Sequence, residues 1–252
     1  MSAITSEAVQ PRCYELRYFP LMAKGLGPTL VLEHSGVEWK GNASLPFSTK
    51  TEWKDLKPTT PFGQLPLLSV VEKGVTVFHV AQTTAIINYV GKVSGIEGEN
   101  NLFALSQQLL AEGEDIYNLM VKYVPTLYKR LSSPGITTTK GTRSDYDHFF
   151  SETLPKHLTQ IQTLITTSSR QTHYEGEGFL PGELYLFSII HQACLVAPFI
   201  ALFPDLQAWY RAILNSESTQ KVLCGESKMG VLNQYFQADE SDDVCKVADE
   251  RS

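Results

Sequence analysis

The sequence predicts an α/β domain followed by an all-α domain, because its hydrophobic pattern changes once along the chain. In residues 13–92, short apolar segments alternate with turn-forming residues, which is typical of strands joined by tight connections. In residues 102–237, apolar side chains recur at helical spacing instead. The polar segment 93–101, rich in Gly, Glu and Asn, is predicted to be the linker between the two domains.

The elements of the first domain follow from its local patterns. Residues 13–19 alternate apolar and polar side chains and predict the first strand. Pro28 suits the first turn of a helix over 28–35, and residues 36–39 begin a second strand. The remaining predicted elements are a helical turn at 53–56, a hairpin of strands 65–71 and 75–78, and a helix over 82–91 with Gly91 as its C-cap.

The second domain is predicted to consist of helices separated by polar loops. A long helical run over 102–131 contains Pro125, which lacks the N–H that a helix interior needs and should end or kink the helix. Residues 184–196 are mostly apolar and indicate a helix buried in the core. Two further amphipathic helices are expected over 145–166 and 203–214.

Composition excludes several function classes. The 252 residues carry 21 Lys and Arg against 27 Asp and Glu, without a basic cluster, so nucleic acid is not an expected partner. The longest apolar run, 193–203, is too short to span a membrane and contains Pro198, so no membrane association is expected. The cysteines at positions 13, 194, 224 and 245 have neither zinc nor disulfide spacing, which favours a reducing, cytoplasmic location.

Both ends of the chain are predicted to be disordered. Residues 1–12 lack the basic and apolar segments of a signal peptide. Residues 238–252 are rich in Asp and Glu and contain no aromatic residue, which is typical of a solvated acidic tail.

Three short motifs of the first domain carry a family resemblance. Tyr18 ends the first predicted strand, Pro66 interrupts an apolar strand-like segment, and Gln82-Thr83 precedes a helical run. In this order and spacing the motifs resemble the glutathione-binding half of the cytosolic glutathione transferases, of the tyrosine type that includes the pi and sigma classes. In the second half, the segment Phe-Pro-Asp-Leu-Gln-Ala-Trp at 203–209 is similar to a helix of that family. The resemblance covers residues 13–236.

The resemblance implies a thioredoxin-like domain followed by a helical domain, in a cytoplasmic homodimer that acts in detoxification. It implies that the chain conjugates reduced glutathione, its co-substrate, to a small hydrophobic electrophile without a metal ion. Tyr18 would be the catalytic residue. A free thiol has a pKa near ~8.5, so a phenol O–H that hydrogen-bonds the thiolate increases the reactive fraction at neutral pH.

The resemblance implies further glutathione contacts around Pro66 and around Gln82. Pro66 would follow a cis bond that exposes the backbone of Leu65 to the cysteinyl part of the tripeptide, and Gln64 would bind its glycyl end. Gln82 and Thr83 would bind the γ-glutamyl carboxylate, because helix N-terminal amides and a hydroxyl favour an anion. Thr83 stands where the family usually has Ser.

Charged and aromatic residues complete the implied glutathione site. Trp53 and Lys57 would hold the glycine carboxylate through an indole N–H and an ammonium group. Lys24 stands where pi and sigma enzymes carry an arginine that stabilises the thiolate, so it keeps the charge without the planar guanidinium. Glu114, or Asp115 beside it, would reach the glutathione amine across the dimer interface.

Two further positions concern the helical domain. Tyr128 corresponds to a pi-class tyrosine that contacts the electrophile. Leu180 stands where the family has a Ser or Thr that caps its central helix, with Glu183 as the acid three residues later. Loss of that cap is expected to lower stability by roughly 1 kcal/mol.

Other functions on the same fold stay open. A glutathione-dependent isomerase or peroxidase would use the same thiolate. A non-catalytic ligand-binding or protein-interaction module is supported by the poor match of segment 22–27 to the family, whereas the retained Tyr18, Gln64 and Gln82-Thr83 argue against it. A cysteine-dependent reductase is not expected, because it needs a cysteine within 18–22, whereas Cys13 starts the strand and Cys194 lies with His191 on a buried helix.

Overall fold

The computed structural model describes residues 12–45, 50–127, 143–168 and 178–238. Its strands are β1 (Arg12–Arg17), β2 (Trp39–Lys40), β3 (Leu67–Glu72) and β4 (Val75–Ala81). Its α-helices are α1 (Leu26–Ser35), α2 (Lys50–Leu56), α3 (Thr83–Ser94), α4 (Asn101–Tyr123), α5 (Arg143–His148), α6 (Leu154–Thr167), α7 (Pro181–Cys194), α8 (Pro204–Leu214) and α9 (Glu217–Leu223). Short 3₁₀ helices span Lys57–Thr59 and Ile200–Leu202, and a π-helical turn, Phe149–Thr153, joins α5 to α6.

The four strands form one sheet in the order β2-β1-β3-β4. Strand β2 is parallel to β1, whereas β3 is antiparallel to both β1 and β4. Arg17 of β1 pairs with Leu67 of β3, which in turn pairs with Ala81 of β4. This register brings one end of each of these three strands to the same edge of the sheet.

Helix α7 lies at the centre of the protein and contacts α1 and α3 of the first half as well as α4 of the second. Most of its side chains are buried, as its apolar sequence predicts. The elements up to α3 are α/β, and the described elements from α4 onward are helical. The predicted fold class, an α/β region followed by an all-helical region, is therefore confirmed.

The start of α7 corrects the expectation of a missing cap. The backbone N–H of Leu180 donates to Oε2 of Glu183 at 2.8 Å, and the N–H of Gly182 donates to Oγ of Ser106 at 2.9 Å. Ser106 belongs to α4, so a neighbouring helix supplies the hydroxyl that position 180 lacks. A Cβ at Gly182 would overlap the backbone of Ser106, so this close approach requires glycine.

Helix α3 extends beyond its predicted end. Gly91 is not the C-cap; Gly95, with φ 79°, provides the left-handed residue that ends the helix after Ser94. Gly91 serves packing instead, because a Cβ there would lie 2.7 Å from Cγ of Pro181 on α7. The prediction mistook a glycine needed for close helix contact for a terminator.

Other boundaries differ by a few residues. Helix α1 begins at Leu26 and not at Pro28, because the Leu26 N–H already bonds the Met22 carbonyl at 2.8 Å. Helix α4 ends two residues before Pro125, in line with the restriction that proline imposes on its predecessor. The helix predicted over 145–166 is observed as α5, the π turn and α6, and α9 was not predicted.

Residues 1–11 and 239–252, which hold most of the two predicted disordered ends, lie outside the described residues.

Residues 226–238, here called the C-terminal segment, connect the two halves beside the end of β1. Leu21 forms a parallel bridge with Asn233, and Thr126 forms an antiparallel bridge with Phe236. Phe236 is fully buried against the aromatic ring of Tyr117 on α4, with ring centroids 5.6 Å apart. The loop after β1 is thus held between the sheet and the helical half.

Candidate functional site

Tyr18, Pro66 and Gln82 lie close together at one edge of the sheet. Each is one residue beyond the last paired row of β1, β3 and β4, respectively. Antiparallel neighbours run past each other residue by residue, so these three positions form the next row across the sheet. The structure therefore brings together the three motifs on which the predicted site rests.

Tyr18 is held on both its backbone and its side chain. It is 8% exposed, and its phenol oxygen accepts a hydrogen bond of 3.2 Å from the backbone N–H of Lys24. Its carbonyl accepts a bond of 2.6 Å from Nδ2 of Asn42 in the loop after β2. A Cβ at Gly25 would overlap the Tyr18 ring, so the glycine allows the turn to fold over the phenol. These contacts fix the ring at the end of β1.

Lys24 links this turn to the helical half. Its Nζ lies 3.1 and 2.8 Å from the two carboxylate oxygens of Glu114 on α4, and 4.8 Å from the ring centroid of Tyr117. The hydroxyl of Tyr185 on α7 donates to the same carboxylate. Burial, followed by the neighbouring phenols and Glu114, raises the pKa of Tyr117 far above its usual range, so this phenol stays neutral.

The predicted strand-addition and anion sites adjoin Tyr18. The Leu65-Pro66 peptide bond is cis, as predicted, and the backbone N–H and C=O of Leu65 make no hydrogen bond within the described part of the chain. Nε2 of Gln82 donates to Oε1 of Gln64 at 3.0 Å, which joins the two glutamines into one polar surface. Gln82 has φ 75°, a backbone conformation that non-glycine residues rarely adopt and that is common at binding sites.

Thr83 is the first residue of α3 and does not cap it. The helix has no side-chain cap bond, and Oγ1 of Thr83 is buried without a hydrogen-bond partner among the described residues. The first amides of a helix have no partner within the helix, so an unused hydroxyl and unused amides lie together here. This combination suits an anionic ligand.

Trp53 and Lys57 lie further from the phenol. The Trp53 ring packs edge-on against Phe19, the residue after Tyr18, with centroids 5.9 Å apart. Lys57 lies exposed in the 3₁₀ helix that follows α2, and its ammonium group forms no ion pair with a described residue. Trp53 is therefore connected to the Tyr18 region through an aromatic contact. The Lys57 side chain instead passes close to Gly63, the residue before Gln64, because a Cβ at Gly63 would lie 3.5 Å from Cε of Lys57.

The structure gives Glu114 two partners within its own chain. Its carboxylate is engaged by Lys24 and Tyr185 and stays partly exposed. Asp115 beside it is exposed and better fits the predicted reach toward a second subunit. Tyr128, the predicted electrophile contact, lies outside the described residues.

Sequence reasoning missed Tyr117, Tyr185 and Gln192. Tyr117 follows Glu114 by three residues on α4, a spacing that places both on one helical face and could have revealed it. Tyr185 and Gln192 reach the site only through the packing of α7 against α1 and α4, which has no local sequence pattern.

His191 and Cys194 lie in the core, as predicted, and not at this site. Nδ1 of His191 lies 2.8 Å from the hydroxyl of Tyr210 on α8, and burial lowers the pKa of His191 to about 4. Burial raises the pKa of Cys194 to about 12, which makes it a poor nucleophile. Within the described ranges, no group of three or more His, Cys, Asp or Glu side chains is arranged to hold a metal ion. None of the helices that the structure describes is both long and apolar enough to cross a membrane.

Comparisons of sequence point to one family, although no family model matches the chain. Glutathione S-transferase 1 of Ascaris suum is 37% identical over 86 residues, which are 34% of this chain and 37% of that protein. Probable glutathione S-transferase 7 of Caenorhabditis elegans is 38% identical over 86 residues, with the same shares. The matched stretch thus spans little more than a third of the length of these curated relatives.

Comparisons of structure extend over most of the chain. The sigma class GST of Fasciola hepatica has a TM-score of 0.65 at 21% identity, covering 84% of this chain and 96% of that one. The pi-class glutathione S-transferase of Onchocerca volvulus has a TM-score of 0.65 at 17% identity, covering 82% and 90%. At these identities the likeness establishes the fold. The chain therefore resembles the cytosolic glutathione S-transferases in both sequence and fold, as its motifs predict.

Proposed function

We propose that the chain is a glutathione transferase that conjugates reduced glutathione to a hydrophobic electrophile through a thiolate stabilised by Tyr18. The observation that carries the proposal is the single row formed by Tyr18, Pro66 and Gln82 across three strands. A scaffold without a ligand has no physical need for a held phenol, exposed main-chain groups and an anion-binding helix start at one place. The names of the curated relatives support the same reaction.

The proposed chemistry needs a thiolate and a positioned carbon. The Tyr18 O–H donates a hydrogen bond to the sulfur, and the thiol proton passes to solvent. The sulfur electron pair then forms the C–S bond while the leaving group departs with the electrons of its own bond. The Lys24 N–H that bonds the phenol oxygen strengthens the O–H as a donor, because hydrogen bonds in a chain polarise one another.

The rest of the tripeptide would lie along the sheet edge. The backbone of Leu65, which makes no hydrogen bond within the described residues, suits main-chain pairing with the cysteinyl residue. Thr83 with the α3 amides suits the γ-glutamyl carboxylate. Gln64, Trp53 and Lys57 are proposed for the glycyl end. Tyr128 is proposed as an electrophile contact.

A homodimer is part of the proposal. Strand β4 is an edge strand whose side chains are largely exposed, among them Phe78 at 56%. The Phe78 ring lies 6.4 Å from the Tyr89 ring on α3. A groove of about 860 Å³ between α3 and the start of α4 is lined by Tyr89 and Phe103 together with polar residues, among them Lys92 and Glu97. Exposed aromatic and apolar side chains beside a polar rim are a common feature of subunit interfaces. A second copy of the chain is the proposed occupant.

Conjugation of glutathione to a chlorodinitrobenzene tests the function. Tyr18→Phe should lower kcat/KM at neutral pH by about tenfold or more, since a thiol pKa raised by one unit leaves a tenth of the thiolate. Glutathione affinity, measured by calorimetry, should change little. Tyr14→Phe is the matched control, because Tyr14 is also a buried tyrosine but lies within β1, four residues before Tyr18.

Two outcomes would contradict the proposal. Equal activity of wild type and Tyr18→Phe would remove Tyr18 from the reaction. A wild-type protein that binds glutathione but is inert toward several electrophiles would favour the non-catalytic binding module. Turnover of a peroxide or an isomerisable substrate in place of the aryl halide would keep the thiolate and change the reaction class.

A further inference from the structure

Helix α7 holds the backbone of the turn that contains Lys24. Nε2 of Gln192, a residue only 1% exposed, donates to the carbonyl of Ala23 at 3.1 Å. Ala23 has φ 23°, an unfavourable conformation for a residue with a Cβ, so the turn needs outside support. The next residue, Lys24, presents its N–H to the Tyr18 oxygen. Gln192 therefore acts on the group that contacts the proposed catalytic phenol.

Helix α7 also holds the side chain of Lys24, through Glu114. The Tyr185 hydroxyl donates to Oε1 of Glu114, whose two oxygens face the ammonium group. Tyr185 is fully buried, and burial followed by the charge of Glu114 raises its pKa far above the usual range. Tyr185 thus remains a protonated hydrogen-bond donor near neutral pH. The bond from Tyr185 holds the Glu114 carboxylate in place, and the carboxylate in turn holds the Lys24 ammonium group.

We propose that Tyr185 and Gln192, two residues of α7 that do not touch the reacting atoms, are positioning residues for Lys24. The inference rests on the proposed function and deepens it. Gln192 orients the Lys24 backbone toward the Tyr18 oxygen, and Tyr185 orients the Lys24 ammonium through Glu114. The helical half thereby controls the electrostatics of a thiolate site that lies on the sheet.

The arrangement has a cost that packing alone does not explain. Oε1 of Gln192 is buried without a hydrogen-bond partner among the described residues, and an apolar side chain of similar volume would avoid that desolvation cost. The Glu114 carboxylate and the Lys24 ammonium are both partly withdrawn from water. Groups kept in place at such a cost are common where a precise geometry is needed.

A small displacement of the ammonium group is enough to matter. Moving it from about 4 to about 5 Å from a thiolate, at an effective dielectric constant of about 20, changes the ionisation of the thiol about fourfold. The phenols of Tyr117 and Tyr185 face the Lys24–Glu114 pair, and those of Tyr18 and Tyr235 lie near them. Because burial raises the pKa of Tyr117 and Tyr185, these two phenols stay neutral, and the Lys24 ammonium and the Glu114 carboxylate set the local charge balance.

The test compares two buried tyrosines that both hydrogen-bond through their hydroxyls. Tyr185→Phe removes the bond to Glu114, and the matched control Tyr210→Phe removes a bond to His191 away from the site. The thiolate absorbance of bound glutathione is titrated with pH, beside kcat/KM. Tyr185→Phe should reduce the thiolate fraction at neutral pH about threefold to tenfold and recover wild-type absorbance and rate at higher pH. Tyr210→Phe should titrate like wild type.

A profile for Tyr185→Phe that superimposes on wild type would overturn the inference. So would an equal loss at all pH values in both variants, because it would indicate a role in stability alone.

A second measurement does not require glutathione. Gln192→Met keeps the volume but removes the bond to Ala23, so amide hydrogen exchange of Lys24 in the ligand-free protein should accelerate about tenfold. Exchange in Tyr210→Phe serves as the control and should be unchanged. Unchanged exchange in Gln192→Met would refute the backbone part of the inference. Failure of wild type to bind glutathione would contradict the proposed function. The hydrogen-exchange result would still show whether α7 positions the Lys24 backbone.

Discussion

Thr83 carries a buried hydroxyl with no hydrogen-bond partner within the described residues, beside the free amides at the start of α3. A buried hydroxyl without a partner costs about 1–3 kcal/mol, so it persists best where a ligand completes it. Its family position predicted a hydroxyl here, but the sequence could not reveal that the hydroxyl would leave the helix uncapped. The residue-scale feature is thus a polar group that the fold alone does not satisfy.

Replacing Thr83 by Val should separate stability from binding. The substitution keeps the volume and removes the unpaired oxygen, so the free energy of unfolding without ligand should stay the same or rise by up to about 1 kcal/mol. Glutathione affinity should fall about tenfold or more, because a hydrogen bond to a carboxylate is lost. Chemical unfolding and calorimetry provide the two values.

Thr219→Val is the control, since this buried threonine is hydrogen-bonded to His34 far from the site. It should lose stability and keep its affinity for glutathione. Unchanged glutathione affinity in Thr83→Val would exclude the hydroxyl as a ligand group.

The elements show which parts of the fold a local pattern can predict. The alternation of β1 and the apolar sequence of α7 predicted a strand and a buried helix. In both segments the order of apolar and polar residues follows the burial of the side chains. The ends of α3 and α7 were predicted less well. Gly91 packs against Pro181 and Ser106 bonds Gly182, and both contacts join residues distant in sequence. A helix end that depends on contacts with a neighbouring element cannot be predicted from the sequence of that helix alone.

Ser106 offers a direct test of the cap supplied between helices. Ser106→Ala leaves the buried N–H of Gly182 without its acceptor, which should lower the free energy of unfolding by about 1–3 kcal/mol in a urea titration. Ser94→Ala at the end of α3 is the control, because its hydroxyl bonds only carbonyls of its own helix. It should change stability by less than about 0.5 kcal/mol. If both variants matched wild type, the Leu180–Glu183 bond alone would be sufficient to start α7.

At the scale of the whole molecule, the site depends on both halves. The sheet edge carries Tyr18, yet α4 and α7 hold Lys24, and the C-terminal segment packs against Tyr117. The motifs predicted the part of the site that lies on the sheet, since those residues follow strand ends in a fixed order. The helical contribution escaped prediction because it arises only when α7 docks between α1 and α4. Because both halves contribute residues, the geometry of the site should depend on how the two halves pack together and on how the proposed subunits associate.

The oligomeric state is the measurement that belongs to this scale. Wild type should sediment with about twice the mass of one 28.1 kDa chain. Phe78→Glu should convert it to a single chain, because burying unpaired charges in both copies of an isologous contact is unfavourable. Leu202→Glu is the matched control, since Leu202 is 77% exposed but lies in the 3₁₀ helix before α8, away from β4 and α3.

A wild-type protein with the mass of one chain would disprove the dimer. A variant Phe78→Glu that remains a dimer would assign the interface to another surface, and dissociation by Leu202→Glu would point to the surface near α8.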